Sequence, residues 1–339
     1  MDILNSDQDY TLQTDLDDLK AKEEAYKQTA AAYHIQSFLN GIAASVNTPC
    51  ISTGFDTLDK TLDGGLYEGL YIFGAISSLG KTTLILQIMD QIARSGQDVL
   101  LFSLEMARSE IMAKSISRTT LQLVLESGGN IRDAKTARGI TAGKRYQYYS
   151  QAEKDLIKAA VTEYAGYADH IYIHEGVGDI GVKEIRIAIA EHVVRTFRTP
   201  IIIIDYLQIL APYDIRATDK QNVDKAVLEL KRISRDCKTP VIGISSFSRK
   251  YYDNAATMAA FKESGAIEYS SDVLIGLQLY GSGKKGFDAA AAKRKDPREI
   301  ELTILKNRNG RTGDTINFTT IHNLTILRKP EILNHGIRF

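Results

Sequence analysis

The sequence predicts an α/β protein whose mostly parallel, twisted sheet is flanked by helices. Short apolar runs alternate along the chain with longer segments in which apolar residues recur at helical intervals. Several of the runs are apolar throughout, which is typical of strands that helices cover on both faces of a sheet. One run is followed by the turn Gly80-Lys81-Thr82, and another ends in an acid, Asp205. These residues at strand ends are the first candidates for a functional site.

The composition is that of an ordinary globular protein. The chain has 339 residues, of which 44% are apolar and 25% are charged. Its 42 basic and 42 acidic residues balance, so the net charge neither favours nor excludes a nucleic-acid partner. Cys50 and Cys237 are far apart and match no metal-binding spacing, which predicts a reduced, cytoplasmic protein. The amino terminus lacks the pattern of a signal peptide, and no apolar run is long enough to span a membrane.

A helical extension is predicted for residues 1–49. Residues 1–13 are polar, and we expect them to be loose. From Thr14 to Ile42, apolar residues keep helical spacing. Since this segment contains no second apolar surface to cover them, we expect the helix to pack on the main domain or on a neighbouring subunit. Residues 50–339 are predicted to form that main domain.

Seven strands and five helices are predicted within the main domain. The strands are Tyr71–Phe73, Val99–Ser103, Ile171–Ile173, Ile201–Asp205, Val241–Ser245, Val273–Leu279 and Glu301–Lys306. The helices are Thr82–Arg94, Ala107–Thr120, Gln151–Tyr164, Ile180–Arg198 and Asn222–Cys237. Residues 126–148 show little periodicity and are expected to form an exposed insertion. Residues 281–299 are expected to form a mobile basic loop that either faces DNA or lies in solvent.

The stretch AISSLGKTT, residues Ala75 to Thr83, predicts a phosphate-binding loop. It fits the Walker A pattern with Ala75 in place of the first glycine, and its position between a strand and a helix distinguishes it from an ordinary turn. Backbone N–H groups of such a loop converge on phosphate oxygens at a helix N-terminus. Lys81 is expected to contact the β- and γ-phosphates, and Thr82 to ligate Mg²⁺. The predicted nucleotide-binding residues are Ala75, Ser77, Ser78, Leu79, Gly80, Lys81, Thr82 and Thr83.

Two carboxylates are predicted at the same edge of the sheet. Asp205 ends an apolar strand in the Walker B form, and we expect it to hold Mg²⁺ beside Thr82. Glu105 follows the strand Val99–Ser103 and is the candidate base that orients or deprotonates water. From these residues alone, Glu105 is equally well a surface residue that opens the next helix.

Five stretches, in this order, resemble the C-terminal motor domain of the DnaB-type replicative DNA helicases, a RecA-fold family. The resemblance covers roughly residues 50–328. The stretches are STGFDTLDKTLDGGL (Ser52–Leu66), SLEM (Ser103–Met106), IIIIDYLQIL (Ile201–Leu210), KESGAIEYSSDVLI (Lys262–Ile275) and KNRNGRTG (Lys306–Gly313). The resemblance implies a RecA-like P-loop NTPase core that uses ATP and Mg²⁺. It also implies a ring-shaped homo-oligomer, a hexamer in this family, that acts on single-stranded DNA in replication.

The resemblance assigns roles to individual residues. Glu105 becomes the catalytic base, with Lys81 on the phosphates and Asp205 as the metal carboxylate. Arg308 and Lys306 match the residues that reach the γ-phosphate of the neighbouring subunit. The residues that match the family's contacts to the single-strand backbone are Lys262, Glu263 and Gly265.

The sequence departs from the family pattern at three points. Ser246 stands where the family has a glutamine that senses the γ-phosphate, and its shorter side chain cannot span the same distance without water. Lys262 stands where an arginine is usual, which keeps the charge but loses the bidentate geometry. The family's N-terminal domain, which docks primase, has no counterpart in these residues, so the sequence identifies neither a loader nor a primase partner.

Three functions are compatible with the sequence. The first is a ring-forming helicase or translocase driven by ATP. The second is a RecA-fold DNA-binding ATPase that serves recombination or helicase loading without unwinding activity of its own. The third is an assembly factor that binds nucleotide and has lost turnover, and only Ser246 points to it. The motifs around Asp205 and Lys262 favour the first function.

Overall fold

A computed structural model of the chain describes residues 6–45, 50–248, 251, 254–261, 265–321, 324 and 326–328. The chain divides into two compact units, Met1–Cys50 and Ile51–Phe339.

The first unit contains two helices, α1 (Ser6–Lys27) and α2 (Ala31–Ser45). The expectation of a loose start is wrong from Ser6 onward, because the polar residues there already belong to α1. Ion pairs one turn apart, such as Lys22 with Asp18 at 2.7 Å, support this helix on its surface. The apolar residues that keep helical spacing are exposed; they are Leu16, Leu19, Tyr26, Tyr33, Ile35, Phe38, Leu39 and Ile42.

The second unit is built on one mixed sheet, for which the described residues provide nine strands. The strands are β1 (Gly69–Ala75), β2 (Val99–Ser103), β3 (Ile171–Glu175), β4 (Ile201–Asp205), β5 (Pro240–Ser246), β6 (Val273–Leu279), β7 (Arg298–Asn307), β8 (Thr315–Ile321) and β9 (Ile326–Arg328). Their order in the sheet is β3-β2-β4-β5-β1-β6-β7-β8-β9. Each pair of neighbours from β3 to β6 in this order is parallel. The pairs β6–β7, β7–β8 and β8–β9 are antiparallel.

Helices flank this sheet and bury its apolar strands. They are α3 (Asp56–Thr61), α4 (Lys81–Arg94), α5 (Arg108–Glu126), α6 (Ala137–Thr141), α7 (Gly143–Gln147), α8 (Gln151–Ala168), α9 (Val182–Thr196), α10 (Asp219–Cys237), α11 (Gly265–Ser270) and α12 (Ala289–Arg294). Strands β1, β2 and β4 are buried at every residue, as their unbroken apolar runs predict. The predicted α/β fold is confirmed.

Three segments differ from the sequence expectations. Strands β8 and β9 were not predicted; β9 is held to α4 by Gln87, whose amide bonds both the N–H and the C=O of Leu327, at 2.9 and 3.1 Å. Residues 281–299 are not one continuous mobile loop, because they contain α12 and the first residues of β7. Residues 126–148 contain the short helices α6 and α7 between more exposed turns.

Candidate ATPase site

Four adjacent strands bring the predicted site residues to one edge of the sheet. Strands β2, β4, β5 and β1 lie side by side and run in the same direction, so their carboxyl ends coincide. Ser103 at the end of β2 is in register with Asp205 at the end of β4, and Ala75 at the end of β1 with Ser246 at the end of β5. Glu105 follows two residues after Ser103. Ligands of open α/β sheets bind at this kind of edge.

The loop that follows β1 has the backbone shape of a phosphate cradle. Ser78 and Gly80 both have left-handed backbone conformations, with φ of 62° and 99°. Helix α4 begins at Lys81, directly after Gly80. The first N–H groups of a helix have no partner within the helix, and the helix dipole favours an anion there. The loop therefore presents donors and positive potential to the edge where the carboxylates lie.

The ammonium of Lys81 is bonded to the backbone at the end of β1 and the start of this loop. Its Nζ donates to the carbonyl oxygens of Ala75 at 3.0 Å and Ile76 at 3.1 Å. Burial lowers the pKa of Lys81 to about 8, although the charges of Asp205 and Glu105 oppose that shift. An incoming phosphate would restore the charge that burial disfavours, and its oxygens would replace the carbonyl acceptors.

Asp205 is a buried carboxyl beside the first turn of α4. Burial raises its pKa to about 6, while a hydrogen bond from Thr82 lowers the pKa and the charge of Glu105 raises it. A buried carboxylate beside a hydroxyl is a donor set that suits Mg²⁺, whose remaining ligands are usually waters and phosphate oxygens. Thr82 and Asp205 therefore fit the metal that the sequence predicts.

The site residues line a cleft of about 340 Å³. Its lining residues are Ser77, Ser78, Gly80, Lys81, Thr82, Thr83, Glu105, Met106, Lys114, Asp205, Tyr206 and Ser246. Ala75 and Leu79 were predicted to bind nucleotide but are fully buried, so their side chains support the loop from the core. Met106, Lys114 and Tyr206 were not predicted.

Lys114 is a second lysine in this cleft. It lies in α5, and burial lowers its pKa, with the charge of Arg118 adding to that effect and the charge of Asp205 opposing it. Its sequence position in an ordinary amphipathic helix indicates no function. Only the packing of α5 beside α4, the helix that follows the phosphate loop, places its ammonium near Asp205.

Asp205→Asn should make the ligand-free protein more stable at pH 8. The pKa is raised from 3.8 to about 6 in the folded state, so above pH 6 the ionised, buried carboxylate costs the folded protein about 3 kcal/mol. This cost disappears as the pH falls from 6 to below about 4, where the carboxyl is protonated in both the folded and unfolded states. Urea unfolding of both proteins at pH 8 and pH 4 measures the difference. An equal gain at both pH values would mean that ionisation of Asp205 is not its cause.

Arg308 and Lys306 lie at the opposite edge of the sheet. Because β7 is antiparallel to β6, Asn307 is in register with Val273, the first residue of β6. Strand β1 has seven residues, which at about 3.3 Å per residue separate the two edges by about 20 Å. The Arg308 side chain is half exposed, with Nη1 3.4 Å from a carboxylate oxygen of Asp272. Arg308 therefore does not reach the phosphate loop of its own chain.

Lys306 is engaged with helix α11. Its Nζ donates to the carbonyl oxygens of Glu268 at 2.6 Å and Tyr269 at 3.2 Å, in the last turn of that helix. This is the position at which a cation satisfies the free carbonyls of a helix terminus. Of the predicted DNA-binding residues, Lys262 and Glu263 lie outside the described residues. Gly265 is the first residue of α11.

Residues 50–325 match the DnaB-like helicase C terminal domain family. The chain is 30% identical over 269 residues to the replicative DNA helicase DnaC of Bacillus subtilis (strain 168), covering 78% of this chain and 53% of that protein. It is 28% identical over 268 residues to the replicative DNA helicase DnaB of Geobacillus stearothermophilus, with the same two shares covered. The chain thus spans about half the length of the curated relatives it matches.

Solved structures show the same fold. A solved ATPase domain superposes with a TM-score of 0.72 at 20% identity, covering 88% of this chain and 98% of that domain. A DnaB-like replicative helicase, described with its interactions with primase, superposes with a TM-score of 0.71 at 21% identity and covers 88% of this chain and 67% of its own. The RecA-like core predicted from the sequence is confirmed by these likenesses. Within the described residues, no helix has the length and apolar character needed to cross a membrane.

Proposed function

The chain belongs to the DnaB-like helicase C-terminal domain family, and we propose that it is a cytoplasmic, ATP-driven motor that unwinds DNA in replication. In this proposal it moves along single-stranded DNA as a ring-shaped homo-oligomer, a hexamer. The observation that carries the proposal is the division of the catalytic residues between two edges of one sheet. The phosphate loop, Glu105 and Asp205 share the carboxyl edge, whereas Arg308 lies at the other.

The residues at the carboxyl edge support ATP hydrolysis. Lys81 and the N–H groups at the start of α4 would bind the phosphates. Thr82 and Asp205 would hold Mg²⁺, which when bound neutralises charge on the phosphate oxygens. Glu105 is exposed to the cleft and would orient the attacking water or accept its proton. Phosphoryl transfer is catalysed by positioning and electrostatic stabilisation of this kind.

The opposite edge supports completion of the site by a second copy. Arg308 lines a cavity of about 220 Å³, together with Asp63, Tyr67, Glu68 and Asn309 among other residues. A guanidinium that is half exposed at a polar cavity, about 20 Å from its own loop, supports a role in the site of a neighbour. If each subunit presents its carboxyl edge to the amino edge of the next, the contacts are head-to-tail. Such contacts form a closed ring when the rotation closes.

DNA binding is proposed for the segment that ends at α11. Lys262 would contact the phosphate backbone, and such contacts position a strand without reading its bases. Lys306 bonds the carbonyl oxygens at the C-terminal end of α11, and it lies two residues before Arg308 in the sequence. A short helix therefore joins the proposed DNA contact to the proposed contact with the neighbour's nucleotide. Movement of Lys306 toward that nucleotide would release the last turn of α11.

Ser246 gives this chain a weaker γ-phosphate sensor than the family's glutamine. It lies at the end of β5 beside the phosphate loop, and it lines the cleft. Ser245, the residue before Ser246, accepts a hydrogen bond at its hydroxyl from Nε2 of Gln208 at 2.8 Å. This bond connects the Walker B segment to the end of β5. We propose that this amide, with a water on Ser246, carries the signal that the family's glutamine carries.

Strand displacement tests this function against that of a RecA-fold ATPase without unwinding activity. The full chain, with ATP and Mg²⁺, should release a labelled strand from a forked duplex that has a single-stranded tail. Glu105→Gln is the matched control, because it keeps the fold and the nucleotide site but lacks the proposed base. ATP hydrolysis with no strand release by the wild-type protein would favour the alternative function.

Deletion of residues 1–45 should shift the protein toward the monomer. The apolar side chains of α2, among them Phe38 at 66% exposed, have no cover within their own unit. Burying them on an adjacent copy would be favourable by roughly 25 cal/mol for each Å² of apolar surface. Sedimentation velocity of the full and shortened chains measures the change, with Phe38→Ser as a milder variant. An unchanged oligomer would contradict the assignment of this helix to a subunit contact.

A further inference from the structure

Arg298 is a buried arginine that touches the phosphate loop from behind. It is the first residue of β7, and it is 8% exposed. Its Nη1 donates to the carbonyl oxygen of Ser78 at 3.2 Å. Its Nη2 donates to the carbonyl oxygen of Lys293 near the end of α12. One guanidinium thus connects the nucleotide loop to the segment that the sequence predicted to be a mobile basic loop.

Ser78 is the residue of the loop that most needs this support. Its φ of 62° lies in the left-handed region, which is strained for a residue with a side chain. Gly80, two residues later, has the same left-handed conformation, but it has no side chain and so is not strained by it. The hydrogen bond from Arg298 fixes the Ser78 carbonyl in the orientation that the left-handed conformation requires.

Among the described residues, the guanidinium of Arg298 also has no ion-pair partner. No carboxylate in the described part of the chain lies within ion-pairing distance of Arg298, and its Nε has no hydrogen-bond partner there. A buried cation without a counter-ion is costly, and an anion close to it offsets part of that cost. The phosphates of a nucleotide in the loop would lie on the other side of Ser78 and would be such anions.

We propose that Arg298 is a positioning residue that holds Ser78 in its left-handed conformation and so keeps the phosphate loop in its binding shape. This proposal rests on the proposed function only in that the loop binds a nucleotide. Arg298 touches no substrate itself. The same guanidinium links the loop to the backbone of α12, because it also bonds the carbonyl oxygen of Lys293.

Equilibrium binding of a fluorescent ADP analogue with Mg²⁺ tests the proposal. Arg298→Ala should weaken binding by about tenfold or more, the loss expected for one hydrogen bond from a charged donor. Arg294→Ala removes an exposed arginine four residues earlier in the same segment, and it should bind the analogue like the wild-type protein. Wild-type affinity in Arg298→Ala would overturn the proposal.

Coupling between Arg298 and Ser78 separates positioning from a general loss of structure. Glycine adopts the left-handed conformation without strain. We therefore compare the effect of Ser78→Gly on affinity in two backgrounds, Arg298→Ala and wild type. The gain in affinity in the Arg298→Ala background should be about three to five times the change in the wild-type background. The same factor in both backgrounds would overturn the proposal. If Arg298→Ala does not fold, the same comparison in Arg298→Lys decides, because lysine lacks the two separate Nη groups with which Arg298 reaches the carbonyls of Ser78 and Lys293.

The wild-type titration distinguishes the two possible failures. A wild-type protein that does not bind the analogue contradicts the proposed nucleotide site itself. A wild-type protein that binds it, together with an Arg298→Ala variant that binds it equally well, contradicts only the role of Arg298.

Discussion

Arg308→Ala should bind ATP through its intact phosphate loop and lose nearly all turnover. A guanidinium aimed at the γ-phosphate stabilises the charge that spreads over the transferring oxygens, and such arginines contribute about 10³–10⁵ in rate. The residue lies at the amino edge of the sheet, about 20 Å from its own loop, so the loss would come from the neighbour's site. Steady-state ATP hydrolysis by the assembled protein measures the effect.

A matched control and a mixing experiment show where Arg308 acts. Arg311→Ala removes an exposed arginine from the same turn and should hydrolyse ATP at the wild-type rate. Arg308→Ala and Glu105→Gln are each expected to be inactive. A mixed assembly contains interfaces that pair an intact Glu105 with an intact Arg308, and subunits that exchange and act independently would recover activity. Hydrolysis at the wild-type rate by Arg308→Ala alone would contradict a role for this residue in a neighbouring site.

Lys81→Ala should abolish hydrolysis and weaken nucleotide binding. Lys81 is the cation at the centre of the loop, where it donates to the carbonyl oxygens of Ala75 and Ile76. Removing one donor that stabilises developing charge lowers the rate by about 10²–10³ in other enzymes. Because Lys81 would also contact the phosphates of the bound nucleotide before reaction, its loss should weaken binding as well. Hydrolysis and binding of the ADP analogue measure both losses.

The position of Lys81 provides its own controls. Lys60→Ala removes an exposed lysine from α3 and should change neither quantity. The pKa of Lys81 is lowered to about 8, because burial disfavours its charge. Nucleotide binding should therefore weaken as the pH rises from 7 to 9 in the wild-type protein, since the loop then loses its cation. Lys81→Ala should lack this weakening, and an unchanged hydrolysis rate in that variant would contradict the phosphate-loop assignment.

The carboxyl edge could be predicted because its residues carry local patterns. Asp205 and Glu105 each follow a short, unbroken apolar run, and such runs are parallel strands whose ends meet. Lys81 lies in a turn between a strand and a helix, which is a pattern of adjacent residues. Each of these patterns depends on residues close together in the sequence, so no long-range contact had to be known.

The remaining features depend on contacts between distant segments. Lys114 and Arg298 reach the site because α5 and β7 pack beside it, and their sequence surroundings are those of an ordinary helix and an ordinary basic loop. The location of Arg308 follows from the antiparallel direction of β7, which apolar periodicity does not reveal. Strand β9 was missed because it has only three residues and is secured by the distant Gln87. Strand β8 was missed because Asn317 and three threonines interrupt its apolar residues.

The rate of ATP hydrolysis with and without single-stranded DNA shows whether this chain is a DNA-dependent motor. A motor that moves on single strands should hydrolyse ATP faster when an oligonucleotide is bound, and the increase should fall as salt weakens its phosphate contacts. We expect stimulation by single-stranded DNA, little stimulation by blunt duplex, and none in Glu105→Gln. ATP hydrolysis at the same rate with and without the oligonucleotide, or no hydrolysis in either case, would mean that this chain is not a DNA-dependent motor.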